Sequence, residues 1–215
     1  MQRIFSKGIT IILMIAWCLP THSFAAAGEK EFKNLLSTPK VISRVQIHTA
    51  YNMFTENRKV QAINFRVGGI IPAGTPVTVE IVEPSLDDRS LFAMPEIRFT
   101  TLSDNINYTL KFTERYHPGK TVYDYANLMF GVKTFGEITE GKSADVIDAI
   151  RRSAVIEGMT KEEVLISYGY PAEHRTPSLL ANTWIYWENR HTEKKICFSE
   201  EELAISCKKL KSEDL

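Results

Sequence analysis

Between Val41 and Phe112 apolar residues recur at every second position, and from Ser143 onward they recur at helical spacing. A chain cannot satisfy both periods with one kind of element. Period two presents one face of a strand, whereas a 3.6-residue period presents one stripe of a helix. The switch therefore dictates an α+β protein: a sheet-forming front part and a helical unit behind it. In the front part Val45 and Ile47 alternate with Arg44, Gln46 and His48. Ile63, Phe65 and Val67 alternate with Ala62, Asn64 and Arg66. Val77, Val79 and Ile81 follow, then Ile97 and Phe99, then Tyr108, Leu110 and Phe112. Segments with a single apolar face predict an antiparallel sheet covered on one side. The connectors carry turn residues: Gly68-Gly69, Pro72-Ala73-Gly74, Pro84 to Asp88 and Ser103-Asp104-Asn105. Residues 41–116 are thus expected to form a small antiparallel β-barrel or sandwich, with edges removed by curling.

Pro118-Gly119 ends this region, and Val122, Tyr125, Ala126, Met129 and Phe130 at helical spacing predict a short helix within a connecting segment, 117–141, whose Gly131–Gly141 part reads as linker. Residues 142–207 form the second unit. Ser143 caps a helix striped by Val146, Ile147, Ile150, Ala154 and Val155, with Gly158 as its C-terminal glycine. Thr160 and Glu163 form a capping box, in which each side chain accepts from a backbone N–H the helix leaves unpaired. Val164, Leu165 and Tyr168 stripe this second helix; Gly169 ends it and Pro171 forbids its restart. Helices this short are not stable alone. The strands that follow supply the surface they need: "NTWIYWENR" (182–190), "KKICF" (194–198) and "ELAIS" (202–206). The order is α-α-β-β-β in two layers.

Two resemblances follow from these residues. "GGIIPAGTPVTVEIV" (68–82) resembles a strand pair of bacterial SH3-like domains. Gly158, Met159-Thr160, Glu162-Glu163-Val164, Gly169-Tyr170-Pro171, Trp184-Ile185-Tyr186 and the hairpin from Ile196 to Ile205 resemble the SmpA/OmlA (BamE-like) family, over roughly residues 143–207. The β-lactamase-inhibitor-like modules share that fold. The resemblance implies a binding or scaffolding module of the bacterial envelope and no enzyme. The extra β module and the Trp17 before Cys18, where a lipobox needs a small residue, do not follow the family pattern.

The N-terminus sets the expected compartment. Arg3 and Lys7 precede an apolar run from Gly8 to Leu19, and Ser23-Phe24-Ala25 offers a cleavage site, so residues 1–25 read as a secretory signal peptide. The run is shorter than the ~20 residues of a bilayer span. The expected product is a periplasmic protein without a transmembrane segment or lipid anchor, flexible at 26–40 and in the 208–215 tail. The chain carries 26 basic and 26 acidic residues without a basic block, which excludes a nucleic-acid-binding face.

Cys197 and Cys207 are a candidate disulfide in an oxidising compartment. If Glu200-Glu201 form the hairpin tip, Phe198 faces Leu203 and Cys197 faces Ala204, with no bond. If the loop centres on Glu202, the two cysteines face each other. Packing favours the first register and export the second; a bulge reconciles them. His48 falls on a polar strand face, and His117, His174 and His191 in turns, so all are expected to be solvated. Their spacing matches no metal site and no motif implies a cofactor. A Cys197 nucleophile aided by His174 or His191 is the weakest reading, because a mid-strand thiol lacks the helix N-terminus or cation that would activate it. Tyr168, Tyr170, Trp184, Tyr186 and Trp187 remain as the expected partner-binding group. They are equally the expected interface between the two halves. The expected function is protein binding in the envelope, in assembly or maintenance, with an enzyme inhibitor and a cysteine-dependent hydrolase as alternatives.

Overall fold

The computed structural model describes residues 46–84 and 93–209. The signal peptide, Cys18, the 26–40 segment, the start of the first predicted strand, most of the Pro84–Asp88 turn and the end of the tail lie outside the described residues.

The protein is α+β. Eight strands form one curled sheet: β1 (Ile47–Thr49), β2 (Met53–Glu56), β3 (Lys59–Val60), β4 (Gly69–Ile71), β5 (Pro76–Val82), β6 (Glu96–Thr101), β7 (Asn107–Lys111) and β8 (Phe130–Gly131). Their order is β4-β2-β3-β7-β6-β5-β1-β8. All pairs are antiparallel except β3–β7, where Lys59 pairs with Thr109 and Val60 with Leu110. The long β5–β6–β7 meander follows the sequence alternation: Val77, Ile97, Phe99 and Leu110 turn inward, and Thr78, Arg98 and Asn107 turn out.

Helix α1 (Val122–Met129) closes the inner face, and Thr121 and Asp124 cap it reciprocally. Val122, Tyr125, Ala126 and Met129 pack with Tyr51, Met53, Phe99 and Leu110 in one buried cluster. Phe130 continues from this helix straight into β8, which pairs with β1. The Gly131–Gly141 stretch, read as linker, instead begins in the sheet and holds a capped helical turn, α2 (Phe135–Ile138).

Two local differences from the alternation have clear causes. The predicted strand at Ile63–Val67 is a loop, because Asn64 adopts a left-handed φ of 48° and points its amide into the interior. The β2–β3 hairpin was not anticipated. Asn57 and Arg58 both take positive φ, 53° and 62°, the requirement of a two-residue turn whose twist matches the strands.

The second half contains α3 (Ala144–Arg151), α4 (Lys161–Tyr168) and a sheet ordered β11-β10-β9, from β9 (Thr183–Trp187), β10 (Glu193–Phe198) and β11 (Ala204–Ile205). Ser143 and Thr160 cap the helices as expected. Helix α3 stops a turn earlier than its stripe suggests. Ser153, not Gly158, makes the first left-handed turn after it (φ 48°), and the helices are joined by 152–160 rather than by three residues. Ala154, Val155 and Ile156 still pack on the core, as loop residues.

The two halves are joined at the end of α4. The last carbonyls of a helix have no partner within it. Here the Asn52 backbone N–H donates to Ile166 O (2.9 Å), Asn52 Nδ2 to Ser167 O (3.2 Å) and Asn64 Nδ2 to Tyr168 O (2.7 Å). Asn52 Nδ2 also reaches Ile150 O (2.6 Å) and Ser153 Oγ (2.9 Å), while its Oδ1 accepts from Ala73 N (2.8 Å). Gly169 follows with φ 78°, and a Cβ there would stand 2.6 Å from Asn64 Nδ2 and 2.7 Å from the Tyr51 ring. Only glycine allows so close an approach.

Candidate functional site

The five aromatic residues singled out from the sequence do not form an exposed patch. Trp184 is 0 % exposed, Tyr168 1 % and Tyr186 2 %. Tyr170 and Trp187 are half-buried. Trp184 packs on Phe198 with ring centroids 4.6 Å apart, and Tyr168 meets Tyr186 edge-on at 5.4 Å. The Tyr186 hydroxyl donates to Gly169 O (2.9 Å). The Arg66 guanidinium lies 4.1 Å over the Tyr168 ring, and Tyr170 stands edge-on to Tyr51 at 5.8 Å. The aromatic group thus contains the core of the helical half together with part of its junction with the curled sheet. Burial pushes the Tyr51, Tyr125 and Tyr186 phenols above their ordinary values, so none ionises near neutrality. Asn52, Asn64 and Arg66 went unrecognised in the sequence. Asparagines beside apolar residues carry no periodic signal.

Two histidines expected in solvent are buried. His48 is 8 % exposed because β1 is an interior strand, flanked by β5 and β8. His117 is 0 % exposed, with Nε2 2.8 Å from Ala62 O, which also accepts from the Tyr125 hydroxyl at 2.7 Å. A carbonyl only accepts, so Nε2 carries a proton, and in the neutral ring Nδ1 holds the lone pair. Glu173 Oε1 lies 3.7 Å from Nδ1, and Lys120 Nζ 3.3 Å from the same oxygen. Desolvation by burial lowers the His117 pKa, against the opposing pull of the Ala62 bond and Glu173.

The folded state therefore prefers neutral His117, whereas an unfolded histidine titrates near ~6.5. Its contribution is complete above that value and is lost as the pH falls from it toward the folded pKa, where the unfolded chain binds more protons. The expected result is a melting temperature that drops between about pH 7.5 and about pH 5.5, with a shallower drop in His117→Gln, which can still donate to Ala62 O. Equal slopes in the two proteins would assign the pH dependence to other groups.

Cys197 and Cys207 are bonded, with Cα atoms 5.1 Å apart. The hairpin takes neither expected register. Phe198 pairs with Ala204 and Cys197 with Ile205, around a three-residue loop in which Glu202 is left-handed (φ 61°). Backbone contacts hold β11 there from its other side: Gly158 N donates to Ala204 O (2.8 Å) and Ala204 N to Met159 O (2.7 Å). The bond then runs diagonally, from Cys197 to a residue two beyond its partner, at the start of a 3-10 turn (Cys207–Lys209). A sulfur in a disulfide is not a thiolate, so Cys197 is no nucleophile in this state. No cluster of three His, Cys, Asp or Glu residues suited to a metal ion occurs among the described residues.

Exposed apolar surface gathers elsewhere. Leu180 is 81 % exposed and Leu179 and Leu203 37 % each. Lys161, at the start of α4, ties them together: its Nζ donates to Leu180 O and to Glu202 Oε1, both at 3.1 Å, and neighbouring Thr160 bridges to Leu203. The Leu180 backbone is further tied by its N–H to Ser178 Oγ (3.1 Å). Glu162, Glu200, Glu201 and Glu202 are exposed nearby. Glu201 is held below the usual carboxylate range, first by the Ser199 hydroxyl. An exposed apolar cluster with a charged rim is the form of a protein-docking site. The only hint in the sequence was a leucine pair inside the polar run "TPSLLAN".

The fold is that of an α+β protein, and its surface carries an exposed leucine group beside acidic residues. No family model matches the chain, and neither a curated protein nor a solved structure does.

Proposed function

We propose that this protein is an exported, non-enzymatic interaction module of the bacterial cell envelope that docks a partner protein on the Leu179–Leu180–Leu203 face. The observation that carries the reading is Leu180, 81 % exposed on a loop held by Lys161 and Ser178. An apolar side chain held out in water by backbone and ion-pair contacts costs free energy unless a partner covers it. The acidic rim selects a partner whose apolar pocket is bordered by lysine or arginine. The Cys197–Cys207 disulfide fits an oxidising compartment. No helix among the described residues is long and apolar enough to cross a membrane. The resemblance of residues 143–207 to the SmpA/OmlA family and the signal-like N-terminus support a place in the envelope. The inhibitor reading draws on the same leucine, as a knob for a hydrolase cleft, and identifying the partner separates the two.

A photo-crosslinker at position 180, with one at exposed position 115 as control, tests the reading in cells. A discrete adduct from position 180 alone is expected. Leu180→Glu is expected to weaken the isolated complex by about 100-fold, the scale of a hot-spot loss. Adducts that do not depend on position, or a complex indifferent to Leu180→Glu, would rule out this face. Recovery of unprocessed chain from the cytoplasm alone would rule out the envelope.

A further inference from the structure

We propose that the outer face of the curled sheet is a binding trough for an extended anionic polysaccharide. The strand alternation that sends Val60, Ile97, Phe99 and Leu110 into the core sends polar side chains outward over the middle of these strands, with Pro76 and Val82 as the apolar exceptions at the two ends of β5. Paired across β3, β7, β6 and β5 are Lys59, Thr109, Arg98 and Glu80, and beside that row run Asn107, Thr100 and Thr78. Three depressions of about 390, 630 and 110 Å³ adjoin on this face. The first two share Arg98, Asn107 and Thr109; the last two share Lys59 and Gln61. They therefore form one path across the strands, which lie roughly 4.8 Å apart, and such a path suits a chain rather than a compact molecule.

Charge and hydrogen-bonding capacity narrow the occupant. The central depression is lined by Arg58, Lys59, Arg98 and Lys111 against a single carboxylate, Glu96. Glu96 accepts from Arg98 Nε (3.0 Å) and Nη2 (2.8 Å) and lies 3.7 Å from Lys111 Nζ, so it holds two cations side by side. Its side chain is 20 % exposed, whereas those of Arg98 and Lys111 are 51 % and 62 % exposed, leaving the positive groups facing outward. The depressions at either end each add one acid, Glu80 or Glu56, and the last adds Arg190. The net charge is thus positive and concentrated at the centre. Thr100 Oγ1 donates to Asn107 Oδ1 (2.6 Å), which orients the Asn107 amide so that its Nδ2 donors are left for a ligand. The paired outward rows hold hydroxyls, amides and charges, and apart from Val60 the apolar lining is confined to the end depressions, Val79, Phe99 and Tyr108 at one and Phe54, Phe65 and Val67 at the other. Protein hot spots require a desolvated aromatic or aliphatic centre, and the central depression, whose one apolar lining residue is the buried Val60, has none. A sugar chain bearing carboxylates or phosphates matches it, with hydroxyls for the threonine and amide rows and anions for the arginine and lysines.

Calorimetric titration of the full protein at physiological salt tests the assignment with four probes: a short galacturonate oligosaccharide, a neutral glucan of the same length, a poly-glutamate peptide and a single-stranded DNA oligonucleotide. The galacturonate is expected to bind and the glucan not to. The peptide and the oligonucleotide are expected to bind at least about tenfold more weakly, lacking the hydroxyls that the neutral rows select. Arg98→Ala and Lys59→Ala are each expected to lower galacturonate affinity about tenfold or more, the scale of one charge-assisted hydrogen bond. Both positions are exposed, so the variants are expected to melt with the wild type. Lys111→Ala replaces any variant that does not. Leu180→Glu is expected to leave galacturonate binding unchanged, which separates this trough from the docking face. Absence of galacturonate binding, variants that bind like the wild type, or equal affinity for the peptide or the oligonucleotide would overturn the proposal; equal affinity would show a general polyanion surface.

Discussion

Trp184→Ala is expected to destabilise the protein by about 3–5 kcal/mol, the range for truncating a fully buried large aromatic. The indole is 0 % exposed and packs on Phe198, within the cluster that also contains Ile150, Met159 and Val164. It is the largest side chain the helical half buries. Its removal leaves a cavity where α3 and α4 rest on the three-stranded sheet, and these short helices have no independent stability to compensate. Trp184→Phe is expected to recover much of the loss, because the indole Nε1 has no hydrogen-bond partner among the described residues and only ring volume is changed. Denaturant unfolding of the three proteins measures both effects. An alanine variant within about 1 kcal/mol of wild type would show that the layer collapses onto the gap and does not depend on this ring.

Asn52→Ala is expected to cost about 3 kcal/mol or more, although it removes few apolar contacts. The side chain is buried, at 1 % exposure, and satisfies Ala73 N, Ile150 O, Ser153 Oγ and Ser167 O. Each buried polar group left without a partner costs about 1–3 kcal/mol, and the four are not additive. Asn52→Asp is nearly isosteric and separates hydrogen bonding from volume. One oxygen can still accept from Ala73 N, but the other would face the Ile150 and Ser167 carbonyls with only the Ser153 hydroxyl able to donate to it, so a buried charge would be poorly compensated. At neutral pH the aspartate variant is expected to be at least as unstable as the alanine one, and to recover partly as the pH falls and the carboxyl protonates. Equilibrium unfolding across pH checks both. An aspartate variant as stable as wild type at neutral pH would remove Asn52 as the joint between the halves.

The difference between these positions shows what was legible. Trp184 stands in an alternating strand, and the pattern placed Trp184 and Tyr186 on one face, opposite Thr183, Ile185 and Trp187. Ser143 and Thr160 were legible as helix starts because a cap is a local exchange between a side chain and a backbone N–H three residues on. Asn52 and Asn64 were not legible. Their partners lie about a hundred residues away, at the end of α4, and no local rule reports so distant a carbonyl. The hairpin register failed for a related reason. Pairing apolar faces and pairing cysteines predicted two answers, and the backbone of 158–159, pressed along β11, selected a third. The aromatic group could be read as a surface or as an interior, and only the packing of the Trp184–Tyr186 face of β9 in one cluster with Val164 and Tyr168 decided for the interior.

Local chemistry and periodicity therefore determined, from the amino-acid sequence alone, that this protein is α+β, where α3 and α4 begin and which faces of β5, β6 and β7 turn inward. Those properties depend on neighbours within a few positions along the chain. Tertiary structure alone decided the rest: that His117 is dry, that the disulfide is diagonal, that asparagines cap α4 and that Leu180 rather than Trp187 is the exposed residue. Each of these depends on which distant surface arrives, and the free energy that selects it is shared between segments that carry no mark of one another.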